Sequence, residues 1–416
     1  MTSAKNAAES GISMEKRWLI AGLLSASIAI NLIDRQALNV LAPQLREDFH
    51  WSATQFSWIA SAFQIGMLIG QVPAGMFMDS VGTRVGLASI FILWSVLGGA
   101  HALAAGLIGF IVLRFFMGVA QCGNYTAGIK AVAGLFPANK RSTAGGIFNA
   151  GAQLGSVIAA PLVVFFLKTT GWRMAFVVTA AVGLVWLIPW LMNFPGKSQA
   201  QAATGQKAGA SISFGRLMRN RKAVGLFLIR VCTGPLTTFY WVWLPQYLKS
   251  ERKMSMVMIG TLAWLPYLAG ALGNVAGGVI SDRLVKIFGS VDKARKIGFT
   301  GAFLLSAASV FVPAAPSIPL ALGIISLVLF GNQWVAATYI ATVGDTFPAH
   351  VAGRVNGLAG FGDSGAALIA VLATGVIVDH YSYTPVFIAA GLLPLLAMAS
   401  VFFVLRRIEP EPAIAT

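Results

Sequence analysis

Charge is scarce in this chain. Asp, Glu, Lys and Arg make up 11% of its 416 residues, against about 25% in a soluble domain. Acids are scarcer still, at 14 against 30 Lys and Arg, which leaves a formal net charge of +16. With 57% hydrophobic residues and a mean hydropathy of +0.76, the composition excludes a soluble globular protein and requires a polytopic membrane chain. Cysteine is nearly absent. Cys122 and Cys232 lie far apart in apolar segments, so no disulfide framework is expected. The four histidines (His50, His101, His350, His380) show no ligand spacing, and neither a metal site nor a cofactor is expected. No G-x4-GK[ST] stretch occurs, which leaves an ATP-driven pump unsupported. No nucleophile–base pair suggests an enzyme. The first 15 residues are polar and lack a signal-peptide pattern, so they read as a cytoplasmic tail.

What is abundant is apolar sequence. Runs of membrane-spanning length fall at roughly 18–42, 54–78, 84–104, 106–135, 142–167, 174–194, 222–248, 256–281, 297–314, 317–344, 354–378 and 384–405. The expected fold is all-α and integral to the membrane: twelve transmembrane helices in two pseudo-symmetric six-helix bundles. The polar stretch 195–221, rich in Ala, Gly, Ser and Gln, reads as a cytoplasmic linker. This divides the chain into a tail (1–17), a first bundle (18–194), the linker (195–221), a second bundle (222–406) and a tail (407–416). Twenty Lys and Arg fall in the tails and even-to-odd loops, six on the opposite side and four within apolar segments. By the positive-inside rule both termini are cytoplasmic, in a multi-pass bacterial inner-membrane protein. The basic excess is therefore a topology signal and not a nucleic-acid footprint.

The halves repeat. Phe136-Pro-Ala-Asn-Lys-Arg-Ser-Thr-Ala-Gly-Gly matches Phe347-Pro-Ala-His-Val-Ala-Gly-Arg-Val-Asn-Gly, and Gly75-x3-Asp79 matches Gly278-x3-Asp282. Parallel six-helix repeats build a midplane site at their interface in many transporters.

Within this frame, Asp34 and Arg35 stand side by side at the end of the first apolar run. A charge at mid-membrane costs about 2.5–3.5 kcal/mol on insertion scales, so neither is expected to face lipid. Neighbours on a helix do not face one another, and each should find a partner on another helix beside a partly wet cavity. Arg35, Arg114, Arg230 and Lys130 against Asp34 and Asp363 leave an excess of two positive charges within the apolar segments. The guanidinium fork suits a carboxylate. Lys130 is as well explained by snorkelling as by binding. Arg230 divides evenly between the cavity and a structural pair, and Asp363 is either a second acid or part of the cavity wall. Asn149 and Gln153, one turn apart, could read hydroxyls or bond neighbouring helices. Gln64, Tyr240, Trp243, Asn332, Gln333 and Ser364 complete the polar and aromatic candidates. Gly66-x3-Gly70 reads as close helix packing. Two matches are decoys: Gly360-x-Gly362-x-x-Gly365 follows no strand, and Asn124-Tyr-Thr126 lies inside an apolar segment.

The loop Gly75-Met-Phe-Met-Asp79-Ser-Val-Gly82-Thr-Arg84 resembles the G-x3-D-x2-G-x-[RK] signature of the major facilitator superfamily. Within it, Ile-Asp-Arg-Gln-Ala-Leu-Asn-Val-Leu-Ala-Pro (33–43), the pattern of 114–137, Phe-Tyr-Trp-Val-Trp-Leu-Pro-Gln-Tyr-Leu (239–248), Ser-Val-Asp-Lys-Ala-Arg-Lys (290–296) and the 330–348 stretch resemble anion–cation symporters of the hexuronate and sugar-acid group. The resemblance implies a proton-coupled carrier of a small organic anion, monomeric in the lipid bilayer. It makes Arg35 and Arg114 carboxylate-binding cations, Asp34 a proton-coupling acid, and Asp79 with Arg84, together with Asp282, Arg283 and Asp345, a gating group. Three departures stand out: Leu32 where relatives carry Tyr, Gly234-Pro235 where they carry Asp-Pro, and Gln121 where many carry Glu. Arg114 and Gln121 lie two turns, about 10.5 Å, apart on one face, and an amide there cannot titrate. Coupling is therefore expected to be impaired. A transporter-like membrane sensor and a carrier of another small carboxylate stand as the alternative readings.

Overall fold

The computed structural model describes residues 13–136, 138–195 and 214–411, and within these the side chains of Asp79, Arg141 and a few others lie outside the described set. Every long element is helical: α1 (Met14–Phe49), α2 (Ala53–Val81), α3 (Thr83–Ala100), α4 (Leu107–Leu135), α5 (Ala138–Thr169) and α6 (Trp172–Asn193) come first. After a short turn at Phe214–Arg219 follow α7 (Arg221–Ser250) and α8 (Met256–Phe288), the latter interrupted at 263–264. The chain closes with α9 (Val291–Ala307), α10 (Ile318–Thr346), α11 (Ala349–His380) and α12 (Thr384–Ala399), which runs on as a π turn through Ser400–Leu405.

Local chemistry sets the ends. The side chains of Ser13, Asn220, Ser255, Ser290 and Ser317 accept from backbone N–H groups three residues on, capping α1, α7, α8, α9 and α10. The repeated Phe-Pro-Ala stops two helices identically. Phe136 and Phe347 both leave the helix with extended backbone, φ −108° and −120°, because the residue before proline is pushed out of the helical region. Gly82, at φ 82°, makes the tight turn between α2 and α3 in a backbone region that favours glycine.

Among the described residues ten helical stretches are long and apolar enough to cross a membrane. The fold is an all-α, multi-span membrane fold. α2, some of whose side chains lie outside the described residues, and α9 are not among the ten. α9 has 17 residues, about 26 Å at 1.5 Å each. It also departs most from expectation, starting six residues earlier than the apolar run 297–314. Ser290 caps it there, and Lys296 folds back onto Asp292 at 2.8 Å, so the charged residues belong to its first turns.

The helices group into two compact units. Unit 1 holds 13–51, 58–195 and 255–264, and unit 2 holds 52–57, 214–254 and 265–411. Two short stretches thus depart from contiguous halves. Residues 255–264 join unit 1, where Gly260 packs on Val164 of α5. Residues 52–57 join unit 2, where both Asp379 carboxylate oxygens accept from the N–H groups of Ala53 and Thr54 at 2.7 Å. An anion there satisfies orphan donors and complements the helix dipole. Asp379→Ala is expected to cost about 1 kcal/mol, read as a lower midpoint of thermal unfolding. An unchanged midpoint would show the cap to be idle.

Each unit pairs its first helix with its fifth: α1 packs along α5, and α7 along α11. Second and fourth helices pair through small residues: Gly66 of α2 meets the Phe115 backbone of α4, and Gly273 of α8 meets the Phe330 backbone of α10. The internal repeat thus recurs as a packing pattern within each unit.

Candidate functional site

In unit 1 the charges of α1 and α4 converge. Asp34 and Arg114 are each 2% exposed and Gln121 3%. Asp34 faces Thr179 of α6 and Trp94 of α3 and interacts electrostatically with Arg114. No hydrogen bond closes the pair. Both Asp34 oxygens, Arg114 Nε and Nη2, and both polar atoms of the Gln121 amide are buried without a hydrogen-bond partner among the described residues. Buried polar atoms are normally satisfied, and a concentration of orphans needs a cause such as water or a ligand. Arg35, half-buried, turns elsewhere: its Nη2 donates to Gln64 Oε1 at 3.3 Å, and its guanidinium sits 4.6 Å from the Phe63 ring centre. Arg114 lies 5.8 Å from the same ring. Phe63 is thus an apolar plate between two arginines, held by the close packing of α2 on α4, where Gly118 meets the Phe63 backbone.

The expectation of adjacent charges with separate partners is met. The neighbours of Asp34 are the helices of its own unit. Asn149 of α5 is exposed and bonds back to Gly145 O at 3.0 Å, with Gln153 half-buried one turn on.

In unit 2, Arg230 of α7 forms an ion pair with Asp363 of α11 and lies over the Tyr339 ring at 5.7 Å. This pair is partly open, with side-chain exposures of 29% and 21%. Gly234 makes room for it: a Cβ on Gly234 would occupy the position of the Asp363 carboxylate. Gly234→Ala is therefore expected to displace Asp363 from Arg230 and to cost on the order of 2 kcal/mol, the scale of a charge-assisted hydrogen bond. A thermal unfolding midpoint equal to the parent's would contradict this. Asn332 donates to Thr237 Oγ1 at 2.5 Å, Asn274 Nδ2 donates to Gln333 O at 3.5 Å, and Ser364 is half-buried beside Asp363.

Tyr240 and Trp243 require correction as cavity candidates, both being 0% exposed. The Tyr240 hydroxyl is 2.9 Å from Ser309 Oγ, and the Trp243 ring packs edge-on to Phe56 and Tyr383. Both fill the interior of unit 2.

The gating candidates divide. Arg84 donates to Leu191 O and accepts at its own carbonyl from Trp190 Nε1 at 3.1 Å, so α3 is tied to the end of α6. Asp79 lies in α2, but its side chain is outside the described residues. Asp345 accepts from Arg295 Nε at 2.8 Å, Asp282 stands 3.7 Å from the same guanidinium, and Ser281 accepts from it as well. Arg283 is exposed. Arg295, 6% exposed, organises this cluster, and a loop charge count gave no sign of it. Phe63, Trp94, Thr179, Tyr339 and Asp379 were missed too. The first four are apolar or uncharged residues in apolar segments, where sequence alone does not tell a cavity face from a lipid face.

The Major Facilitator Superfamily profile matches residues 24–370 and 290–416. The chain belongs to the Major Facilitator Superfamily. It is similar to the hexuronate transporter of Escherichia coli K12, 28% identical over 96% of this chain and 95% of that protein. It is similar to the hexuronate transporter of Bacillus subtilis 168, 30% identical over 96% of this chain and 97% of that one. A probable galactarate/D-glucarate transporter of Bacillus subtilis 168 is 30% identical over 88% and 85%. Among solved structures, a bacterial homologue of the human lysosomal transporter Spinster, inward-facing and unoccupied, superposes with a TM-score of 0.76 at 16% identity, over 94% of this chain and 95% of that one. That likeness shows the fold. The chain is a multi-pass membrane protein of this superfamily and not an enzyme.

Proposed function

We propose that this protein imports a small organic anion, a hexuronate or related sugar acid, by alternating access with proton symport. The observation that carries the reading is the buried Arg114–Asp34 pair, with Gln121 two turns along α4: Arg114 Nε and Nη2, both Asp34 oxygens and the Gln121 amide have no hydrogen-bond partner among the described residues. A carboxylate could take both open nitrogens of Arg114 in the forked geometry that guanidinium favours, with Arg35 as a second cation across Phe63. The names of the sugar-acid relatives support the same substrate class. In this proposal Asn149, Gln153, Asn332, Gln333 and Ser364 are candidate contacts for the hydroxyls. Asp34 is the coupling acid, and Asp363, paired with Arg230, is the second. Asp79, Arg84, Asp282, Arg283 and Asp345 gate access. All twelve helices α1–α12 cross the bilayer in two six-helix bundles, with both termini cytoplasmic and the protein monomeric.

The test is counterflow in proteoliposomes with glucuronate, galacturonate, galactarate, an aromatic acid and a dicarboxylate, first without any gradient and then with an inward proton gradient. Exchange of a sugar acid supports the class, and accumulation under the gradient supports coupling. Exchange of only the aromatic or dicarboxylic acid would move the substrate assignment. A folded protein that exchanges none of them would favour a sensor on a transporter fold.

A further inference from the structure

A second cluster of cations, unconnected with the proposed transport site, lies where two spanning helices of unit 2 end together. The membrane-spanning stretches Arg221–Ser250 and Thr384–Leu405 begin and finish at one cavity of about 370 Å³. Arg219, Asn220, Arg221, Lys222, Leu405, Arg406, Arg407 and Glu411 line it. Five of these residues are cationic and one is acidic.

The segment after α12 is strapped in place. Ile408, 2% exposed, is buried in the unit 2 core, and its N–H donates to Asp292 at 2.8 Å. The Glu411 N–H donates to Thr346 O at 2.9 Å. Two cations are already used by this strap. Arg221 donates to the carbonyls of Val404 and Phe403, at 2.8 and 2.6 Å, and Lys222 pairs with Glu411 at 3.0 Å and stands 3.9 Å from Glu409. The guanidinium groups of Arg219, Arg406 and Arg407 line the same cavity without an ion pair among the described residues. The neighbouring sequences 196–213 and 412–416 contain no Asp or Glu. The N-terminus of α7, a helix of 30 residues, adds its dipole at Arg221.

The positive-inside rule accounts for basic loops but requires no convergence of three uncommitted guanidiniums on one recess. We infer that this cavity is a binding site for a phosphate-bearing anion, the headgroup of an anionic phospholipid being the source its position favours. Guanidinium forks match phosphate oxygens. Basic clusters next to a spanning helix bind anionic headgroups, each cation contributing near the surface. Phe402 and Phe403, exposed on the same last turn of α12, offer an apolar surface for acyl chains alongside.

The test uses the purified full chain in neutral detergent. Bound lipid is counted by native mass spectrometry during titration with phosphatidylglycerol, phosphatidylcholine or inorganic phosphate. The parent is expected to retain phosphatidylglycerol about a hundredfold more tightly than the triple variant Arg219→Gln, Arg406→Gln, Arg407→Gln. Phosphatidylcholine should not distinguish them. These side chains are exposed, so unfolding midpoints in phosphatidylcholine should agree and certify the fold. Glu411→Gln removes the acid that lines the cavity, Glu409 remaining 3.9 Å from Lys222, and retention should tighten. If inorganic phosphate occupies the site and displaces the lipid, the chemistry stands and its source is soluble. Equal retention of both anions by parent and triple variant, or weaker retention by Glu411→Gln, overturns the site.

Discussion

Arg114→Ala is expected to abolish measurable binding of the sugar acid. Losing one partner of a buried, hydrogen-bonded charge pair costs about 2–5 kcal/mol, which is more than tenfold and up to several thousandfold in affinity. Two geometric facts place the effect at the top of the range. Arg114 is 2% exposed, with Nε and Nη2 unbonded among the described residues, so a bound carboxylate would meet it without competition from an acceptor among them. The other cation, Arg35, is already engaged with Gln64 and stacked on Phe63. Arg114→Lys should also bind weakly, because an ammonium cannot reproduce the fork. Asp34 loses its electrostatic partner in the Ala variant, so calorimetric titration should be paired with thermal unfolding. Arg114→Ala with Asp34→Asn removes the stranded carboxylate and separates folding from binding. An Ala variant that unfolds like the parent and binds the acid equally well would end the assignment.

Gln121→Glu should convert an exchanger into an accumulator. In the parent, sugar acid is expected to exchange readily while an imposed proton gradient drives little net uptake, because the residue two turns below Arg114 is an amide that carries no proton. Both its polar atoms are buried without partners, so the variant carboxylate would enter a space the structure already provides. Opposite Arg114 it could be protonated or ionised according to whether the substrate occupies the guanidinium. Binding should then become pH-sensitive, weakening as the new carboxylate competes for Arg114 at higher pH. Uptake with and without the gradient, in both proteins, decides the matter. Strong gradient-driven accumulation by the parent, unaltered by the added carboxylate, would assign coupling to Asp34 alone or with Asp363.

The legible part of this protein was what depends on neighbours in sequence. The Phe-Pro-Ala repeat marked corresponding places in the two halves, and the chain leaves the helix at Phe136 and Phe347 with nearly the same backbone. Gly66 predicted a close helix contact, which the Phe115 backbone makes. Where neighbours misled, charge was the reason. Asp292, Lys293, Arg295 and Lys296 looked like a loop, yet a serine cap and an i,i+4 ion pair draw them into α9.

By itself the sequence determined that the chain is a polytopic helical membrane protein and where its helices stop. Hydropathy, caps and proline act within a few residues and need no tertiary context. It also determined that Asp34 and Arg35 cannot pair with each other, since adjacent side chains point about 100° apart. Which partner each one takes was decided by tertiary structure alone. Asp34 meets Arg114 80 positions on, and Arg230 meets Asp363 across 133 positions. Tyr240 and Trp243 became interior packing because of the helices that close over them. In a spanning helix nearly every face is apolar, so the sequence has no polar side to announce which residues look inward. Only the packing of one helix against another makes that choice.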